Sequence, residues 1–271
     1  MPDDDEKNWV KLGAVAVKGA MEINPKTPKS CRTAVWIEKA KFLKSKTRSE
    51  GRAWWESWML EVWDNILSEY SKDSGLMLCS PRPMGLFFGR PADGSNPKIK
   101  PSDLFMSYAS GDNVTKLGQY KRSERSVEYP KGHPGQAHKE LFPAAAFYIG
   151  ALSKIKENER LLHGDYQPRH VILDASKPCL WVIDVENSTT GDESQLKKEE
   201  DDMRFLLNKL TSGLYRGSTI DDAFNDGKSA INSGSYLLSD VVAMIEQKHG
   251  FYLDFSTRKA YQDKTKFKPI V

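Results

Sequence analysis

The segment from residue 161 to 187 constrains this chain more than any other. It reads LLHGDYQPRHVILD, then a polar turn, then LWVIDVEN. Both apolar runs are too short for helices and are bounded by Gly, Pro, Asp and Ser, which marks them as strand-like. Asp165 and Asp184, nineteen positions apart, therefore sit on adjacent loops beside short strands. A long apolar helix expected over AHKELFPAAAFYIGALSKIKEN, residues 137–158, runs directly into this segment.

The rest of the chain divides unevenly around it. WVKLGAVAV and GAMEI read as two short strands around Gly19, PKTPKS as a turn, and RTAVWIEKAKF as a third strand. SEGRAWWESWMLEVWDNILSEYS carries Trp55, Met59, Val62 and Ile66 at helical spacing. RPMGLFFGRP and DLFMSYASG read as two further strands, and residues 115–136 as a basic loop. After Asp184 come a polar loop, a helix over SQLKKEEDDMRFLLNKL and more helical sequence to about residue 249. Strands with one helix, then mostly helices, predict an α+β fold with a small β-rich lobe over residues 1–108. A larger helical lobe then covers 109–271, with a cleft between the two.

Composition narrows the functional classes. Hydrophobic residues make up 39% of the 271, charged residues 28%, and the net charge is +3. This is a globular composition, and the charge is too small to argue for nucleic acid or an anionic membrane. The basic stretches at 39–52 and 116–139 are interleaved with Glu38, Glu50, Glu124 and Glu128, as on solvated faces. Cys31, Cys79 and Cys179 lack zinc spacing and read as reduced thiols. The acidic start MPDDDEKNW has no apolar core of a secretory signal, and no stretch is long enough to span a bilayer, so the expectation is a cytoplasmic protein.

Paired aspartates on neighbouring loops suit phosphoryl transfer. That reaction needs a carboxylate near the acceptor hydroxyl, a divalent cation on the phosphates and a protein cation on the nucleotide. HGDYQPRH resembles the catalytic loop of the protein-kinase-like superfamily, and VIDVEN its metal-binding motif. The His-Gly-Asp form is similar to aminoglycoside phosphotransferase-like kinases and the Asp-x-Glu to choline and ethanolamine kinases. A loop ending in His resembles lipopolysaccharide-core sugar kinases. The resemblance implies a bilobal kinase-like fold, ATP with Mg²⁺ (or Mn²⁺) as cofactors, Asp165 as catalytic base and Asp184 as a metal ligand. His170 stands where most of the superfamily has Asn, and is the expected second metal ligand.

The resemblance also assigns roles upstream. It implies a nucleotide lysine on the third strand, Lys39, with Lys41 sharing its face as the alternative. Its expected partner is Glu56, which falls within the apolar arc of the long helix beside Leu60, Trp63 and Leu67, whereas Glu61 falls on the polar side. LFMSYASGDNVTKL resembles the hinge strand, so adenine would meet backbone groups around Met106, Ser107 and Tyr108. Asp202 is the candidate to brace the catalytic loop's backbone. There is no GxGxxG loop, and Gly164 replaces the arginine that commonly reads a phosphorylated activation loop.

The function implied is an ATP- and Mg²⁺-dependent kinase acting on a hydroxyl of a small-molecule or sugar acceptor. The alternatives are an atypical Ser/Thr protein kinase and a nucleotide-binding pseudokinase or scaffold.

Overall fold

The computed structural model describes residues 15–19, 35–36, 42–45, 50–88, 102–107, 109–120, 124–215, 218–232, 236–249 and 255. In chain order the elements are β1 (Val15–Gly19), β2 (Val35–Trp36), β3 (Phe42–Ser45), α1 (Glu50–Ser74), β4 (Met77–Cys79), β5 (Pro83–Phe88) and β6 (Ser102–Ser107). There follow β7 (Asp112–Asn113), α2 (Leu141–Glu159), β8 (Leu161–Leu162), β9 (Val171–Asp174), β10 (Cys179–Val182) and β11 (Thr189–Thr190). The last elements are α3 (Glu193–Leu210), α4 (Thr219–Ser229) and α5 (Leu238–His249). Short 3-10 turns cover Val114–Gln119, Pro134–Ala137, Pro168–His170 and Val185–Asn187. The architecture is α+β.

Two compact units are present: residues 1–61, 81–108 and 245–271 form one, and 62–80 with 109–244 the other. This differs from a single cut after residue 108. The second half of α1 together with β4 belongs to the second unit, and the end of the chain to the first.

The first unit holds a five-stranded sheet in the order β2-β3-β1-β6-β5. β1 runs parallel to β3 and antiparallel to β6. The segment expected as one strand over 32–42 is two: Val35 pairs with Leu43 and Trp36 with Phe42, antiparallel. Lys39 and Lys41 lie outside the described residues, as do residues 9–14 and 20–23 of the first expected strands.

The second unit is built on the second half of α1 and on α2. In it α1 buries Val62, Trp63, Ile66 and Leu67 completely, continuing a stripe that begins at Trp58 and Met59 in the first unit. The run of large apolar residues at spacings of three and four makes this stripe. It ends at Gly75, whose φ of 70° lets its N–H reach Ser71 O at 3.0 Å, the left-handed cap that glycine favours. Helix α2 is apolar on almost every side and is buried along its length, as expected of a helix at the centre of a core. Helix α4 lies directly against it. A Cβ on Gly150 would stand 2.0 Å from Phe224 O, and one on Gly227 1.8 Å from Phe147 O. The two backbones therefore touch where each helix lacks a side chain.

A second sheet, β4-β10-β9-β7, carries the loops around His170 and Asp184. The β9–β10 turn is held by Asp174, whose Oδ1 accepts from Ser176 N at 3.0 Å and Ser176 Oγ at 2.6 Å. Its other oxygen accepts from Ser110 Oγ. Strand β4 was not expected. Its three residues directly follow a helix and offer too little alternation to register.

Candidate active site

Strands β8 and β11 pair antiparallel, Leu162 with Thr189 and Leu161 with Thr190. This two-residue ladder brings together the ends of two loops, one starting at His163 and one ending at Ser188. Gly164 makes the approach possible. Its φ is 81°, and a Cβ there would lie 2.1 Å from Asn187 O. Gly164 thus has a steric reason to be glycine. Trp63 Nε1 donates to Ser188 Oγ at 2.8 Å, and Ser188 Oγ donates on to His163 O at 3.4 Å.

His163 is fully buried. Its Nε2–H donates to Ile183 O at 3.0 Å and its Nδ1 accepts from Asp165 N at 3.3 Å. This is one neutral tautomer satisfied on both nitrogens, and it ties the strand leading to Asp184 to the backbone of Asp165. Burial, reinforced by the nearby Lys156 ammonium, pushes its pKa down to about 4.

Asp165 is accessible, its side chain 27% exposed. Gln167 Nε2 donates to its Oδ1 at 2.6 Å and Arg169 Nη2 to its Oδ2 at 3.1 Å. Five residues on, His170 Nδ1 donates to the Asp165 carbonyl at 2.7 Å. Nε2 stands 3.3 Å from Asp184 Oδ2, and its lone pair accepts from Arg169 Nε at 3.1 Å. The sequence therefore brings its three expected loop residues to one place. Asp184 itself has φ 63° and ψ 41°, a left-handed conformation uncommon outside glycine though least costly for Asp and Asn. It turns the chain out of the apolar run and into the 185–187 turn.

A nitrogen lone pair and a carboxylate oxygen converging from two loops form a donor set that fits a divalent cation. Arg169 Nε–H now shares that lone pair, so ligation by His170 requires the guanidinium to swing aside. Arg169 is half exposed, 55% at the side chain, and so has room to do so.

The residue that braces the backbone of the 163–165 loop is Glu199, not the expected Asp202. Glu199 Oε2 accepts from His163 N at 3.1 Å and Oε1 from Gly164 N at 2.7 Å. Lys156, 2% exposed, pairs with Glu199 at 2.6 Å, and its ammonium lies 3.6 Å from the centre of the Tyr166 ring. Burial lowers the lysine's pKa to about 8 despite the carboxylate beside it. Glu199 lies three after Leu196 and four before Met203, both buried on α3, so the buried stripe was the signal that could have found it. Asp202, three residues after Glu199 and thus its neighbour on the helix surface, is exposed, as is Phe205. A cavity of about 360 Å³ opens there, lined by Asp165, Tyr166 and Gln167 on one side and Asp202, Phe205 and Leu206 on the other. Arg169, Gln167, Lys156 and Glu199 were all missed by sequence reasoning.

The upstream expectations are met unevenly. Glu56 is 1% exposed on α1, but its expected partner Lys39 is outside the described residues. Glu61 forms an ion pair with Lys248. Met106 and Ser107 lie in the sheet, Met106 between Ala16 and Pro83. The Ser107 N–H is already given to Arg82 O at 2.9 Å, and its hydroxyl accepts from Arg82 N at 2.8 Å. The backbone N–H of Ser107 is therefore paired with Arg82. Tyr108 lies outside the described residues. Among the described residues, no helix is long and apolar enough to cross a membrane.

No family model matches the chain, and no curated protein matches it. Solved structures do. One is WaaP in complex with acyl carrier protein, at 16% identity and a TM-score of 0.38, covering 69% of this chain and 73% of that one. Another is a divergent kinase lacking the glycine-rich loop that regulates membrane ultrastructure of the Toxoplasma parasitophorous vacuole. It is 13% identical with a TM-score of 0.37, and the match covers 79% of this chain and 70% of that one.

Proposed function

We propose that this chain is a kinase that transfers the γ-phosphate of ATP, with a divalent cation, to a hydroxyl of a small-molecule or sugar acceptor. The observation that carries the reading is the meeting of Asp165, His170 and Asp184 on two loops clamped by β8 and β11. In this reading the acceptor enters the cavity beside Asp165 and Asp202. Asp165 orients its hydroxyl and accepts its proton, with Gln167 holding one carboxylate oxygen so that the other faces the acceptor. Arg169, released from Asp165 and His170, offers a cation to the transferred group. Asp184 and His170 would hold Mg²⁺ or Mn²⁺, which when bound neutralises charge on the phosphates. Lys39 would pair with Glu56 and contact the nucleotide, and adenine would meet backbone around Met106, Ser107 and Tyr108.

The test combines calorimetry with a transfer assay using γ-labelled ATP and a panel of sugars and amino alcohols. The wild-type protein should bind ATP with Mg²⁺ and label an acceptor. Asp184→Ala should lose the Mg²⁺-dependent part of binding while remaining folded. Asp165→Asn should still bind, with transfer reduced by about 10²–10⁴-fold. Binding without any transfer, unchanged by Asp165→Asn, would replace this reading with a pseudokinase. A protein that binds no nucleotide would end it.

A further inference from the structure

Cys79 and Cys179 are a hundred residues apart in sequence, yet their sulfurs lie 3.3 Å from one another. Strands β4 and β10 bring them together. These pair in parallel, with Cys179 opposite Met77 and Trp181 opposite Cys79. Cys79 is thus two positions along from the direct partner of Cys179. Since side chains alternate along a strand, the two thiols project from the same face of the sheet. Cys79 is partly exposed and Cys179 buried, so a soluble reagent reaches one sulfur of the pair and not the other.

We propose that this pair is a modification site: Cys79 and Cys179 close into a disulfide when the protein meets a thiol oxidant of the disulfide class, such as oxidised glutathione. A disulfide bond is about 2.05 Å long, so closure requires roughly a 1.3 Å approach of the sulfurs. Both side chains are on one face of hydrogen-bonded neighbours, two register positions apart, so closure combines side-chain rotation with a shift of the strand ends. The chemistry balances without any other reactant. The Cys79 thiolate attacks a sulfur of glutathione disulfide, forming a mixed disulfide and expelling one glutathione thiolate. Cys179 then attacks the Cys79 sulfur and expels the second. The protein loses two electrons and two thiol protons, and both go to the two glutathiones. The order of attack follows from the geometry. Cys179 donates its S–H to Cys79 Sγ, and that donation, with burial, raises the Cys179 thiol far above its usual range. Cys79 is the acceptor sulfur and the exposed one, so it attacks first, and Cys179 resolves.

The cross-link would join the strand after α1 to the strand that leads into Asp184, enclosing the catalytic loop within its span. A loop of that length gives a large loss of chain entropy in the unfolded state, so the oxidised protein should melt on the order of 5–10 °C above the reduced one. The experiment treats the folded full-length chain with oxidised glutathione and maps peptides without reduction. It also follows Tm with and without dithiothreitol. The expected result is a Cys79–Cys179 cross-linked peptide, one remaining thiol at Cys31, and a Tm rise in the wild type. That rise should be missing in Cys179→Ser, which should instead accumulate glutathione on Cys79. If the wild type keeps all three thiols, or holds glutathione on Cys79 with no cross-link, the proposal fails. It also fails if the cross-link involves Cys31.

Discussion

Gly164 offers a measurement of how tightly the two loops of the candidate site must touch. Changing it to Ala imposes two separable costs. The first is conformational: at φ 81° an L-residue with a Cβ costs about 1–2 kcal/mol. The second is steric: the new Cβ would stand 2.1 Å from Asn187 O and 2.6 Å from its carbon, against ordinary contact near 3.4 Å. Relief needs a shift of more than 1 Å in one of two backbones. One is pinned by Glu199 and the other by the β8–β11 ladder. Overpacking of that kind costs about 1–3 kcal/mol, so the total is roughly 2–5 kcal/mol. Gly213→Ala is the control, because its φ is 79° and nothing lies within 4 Å of its Cβ. It carries the conformational cost alone. Urea unfolding of both variants isolates the contact as their difference, expected at about 1–3 kcal/mol. If Gly164→Ala costs no more than Gly213→Ala, the loops are not in forced contact and the reasoning about the site's assembly is wrong.

Two further outcomes test the frame beneath the loop. Glu199→Gln should destabilise by about 3–5 kcal/mol, since it strands the buried Lys156 ammonium, whereas Asp202→Asn on the exposed face should change stability by less than about 0.5 kcal/mol; equal losses in urea unfolding would reverse their assignments. His163 binds its proton with a pKa of about 4 when folded against about 6.5 unfolded, so the unfolded chain takes up more protons between those values. Stability should therefore fall as pH drops from about 6.5 to 4, by up to about 3 kcal/mol from this group. The stability difference between wild type and His163→Asn should shrink by that amount across the same window, and a constant difference would show that His163 is not excluded from protonation.

Much of the fold was legible because its signals are local. The helices expected over 49–71, 137–158 and 194–210 form over Glu50–Ser74, Leu141–Glu159 and Glu193–Leu210. Each has a dense apolar pattern or a cap in its own sequence. Asp192 closes a capping box with Gln195, with bonds of 2.9 and 3.0 Å, so the start of α3 is encoded within four residues. The division of the chain was less legible. Helix α1 contributes to both compact units, and nothing local tells a continuous helix where its packing partners change. The same limit explains Ser107. Its sequence context indicates a strand end, but whether its N–H is free depends on Arg82, twenty-five positions away.

The site shows where motif reasoning stops and packing begins. HGD and VID place charged groups at loop ends, and a motif carries that information because the spacing of strand and turn is local. What a motif omits is the support. His163 can hold the Asp165 backbone only while neutral, and Glu199 can hold the His163 and Gly164 amides only while ionised. Burying that carboxylate next to a neutral imidazole demands a cation, and Lys156 supplies it from α2 at 2.6 Å. A lysine in a helix that is otherwise apolar on nearly every side looks like a defect in the sequence. In the fold it balances the charge that fixes the 163–165 loop, and its ammonium lies over Tyr166, the residue after the proposed base. The residues that hold the loop are thus chosen by one another's charge state, across α2, the loop and α3. No single stretch of sequence contains all three.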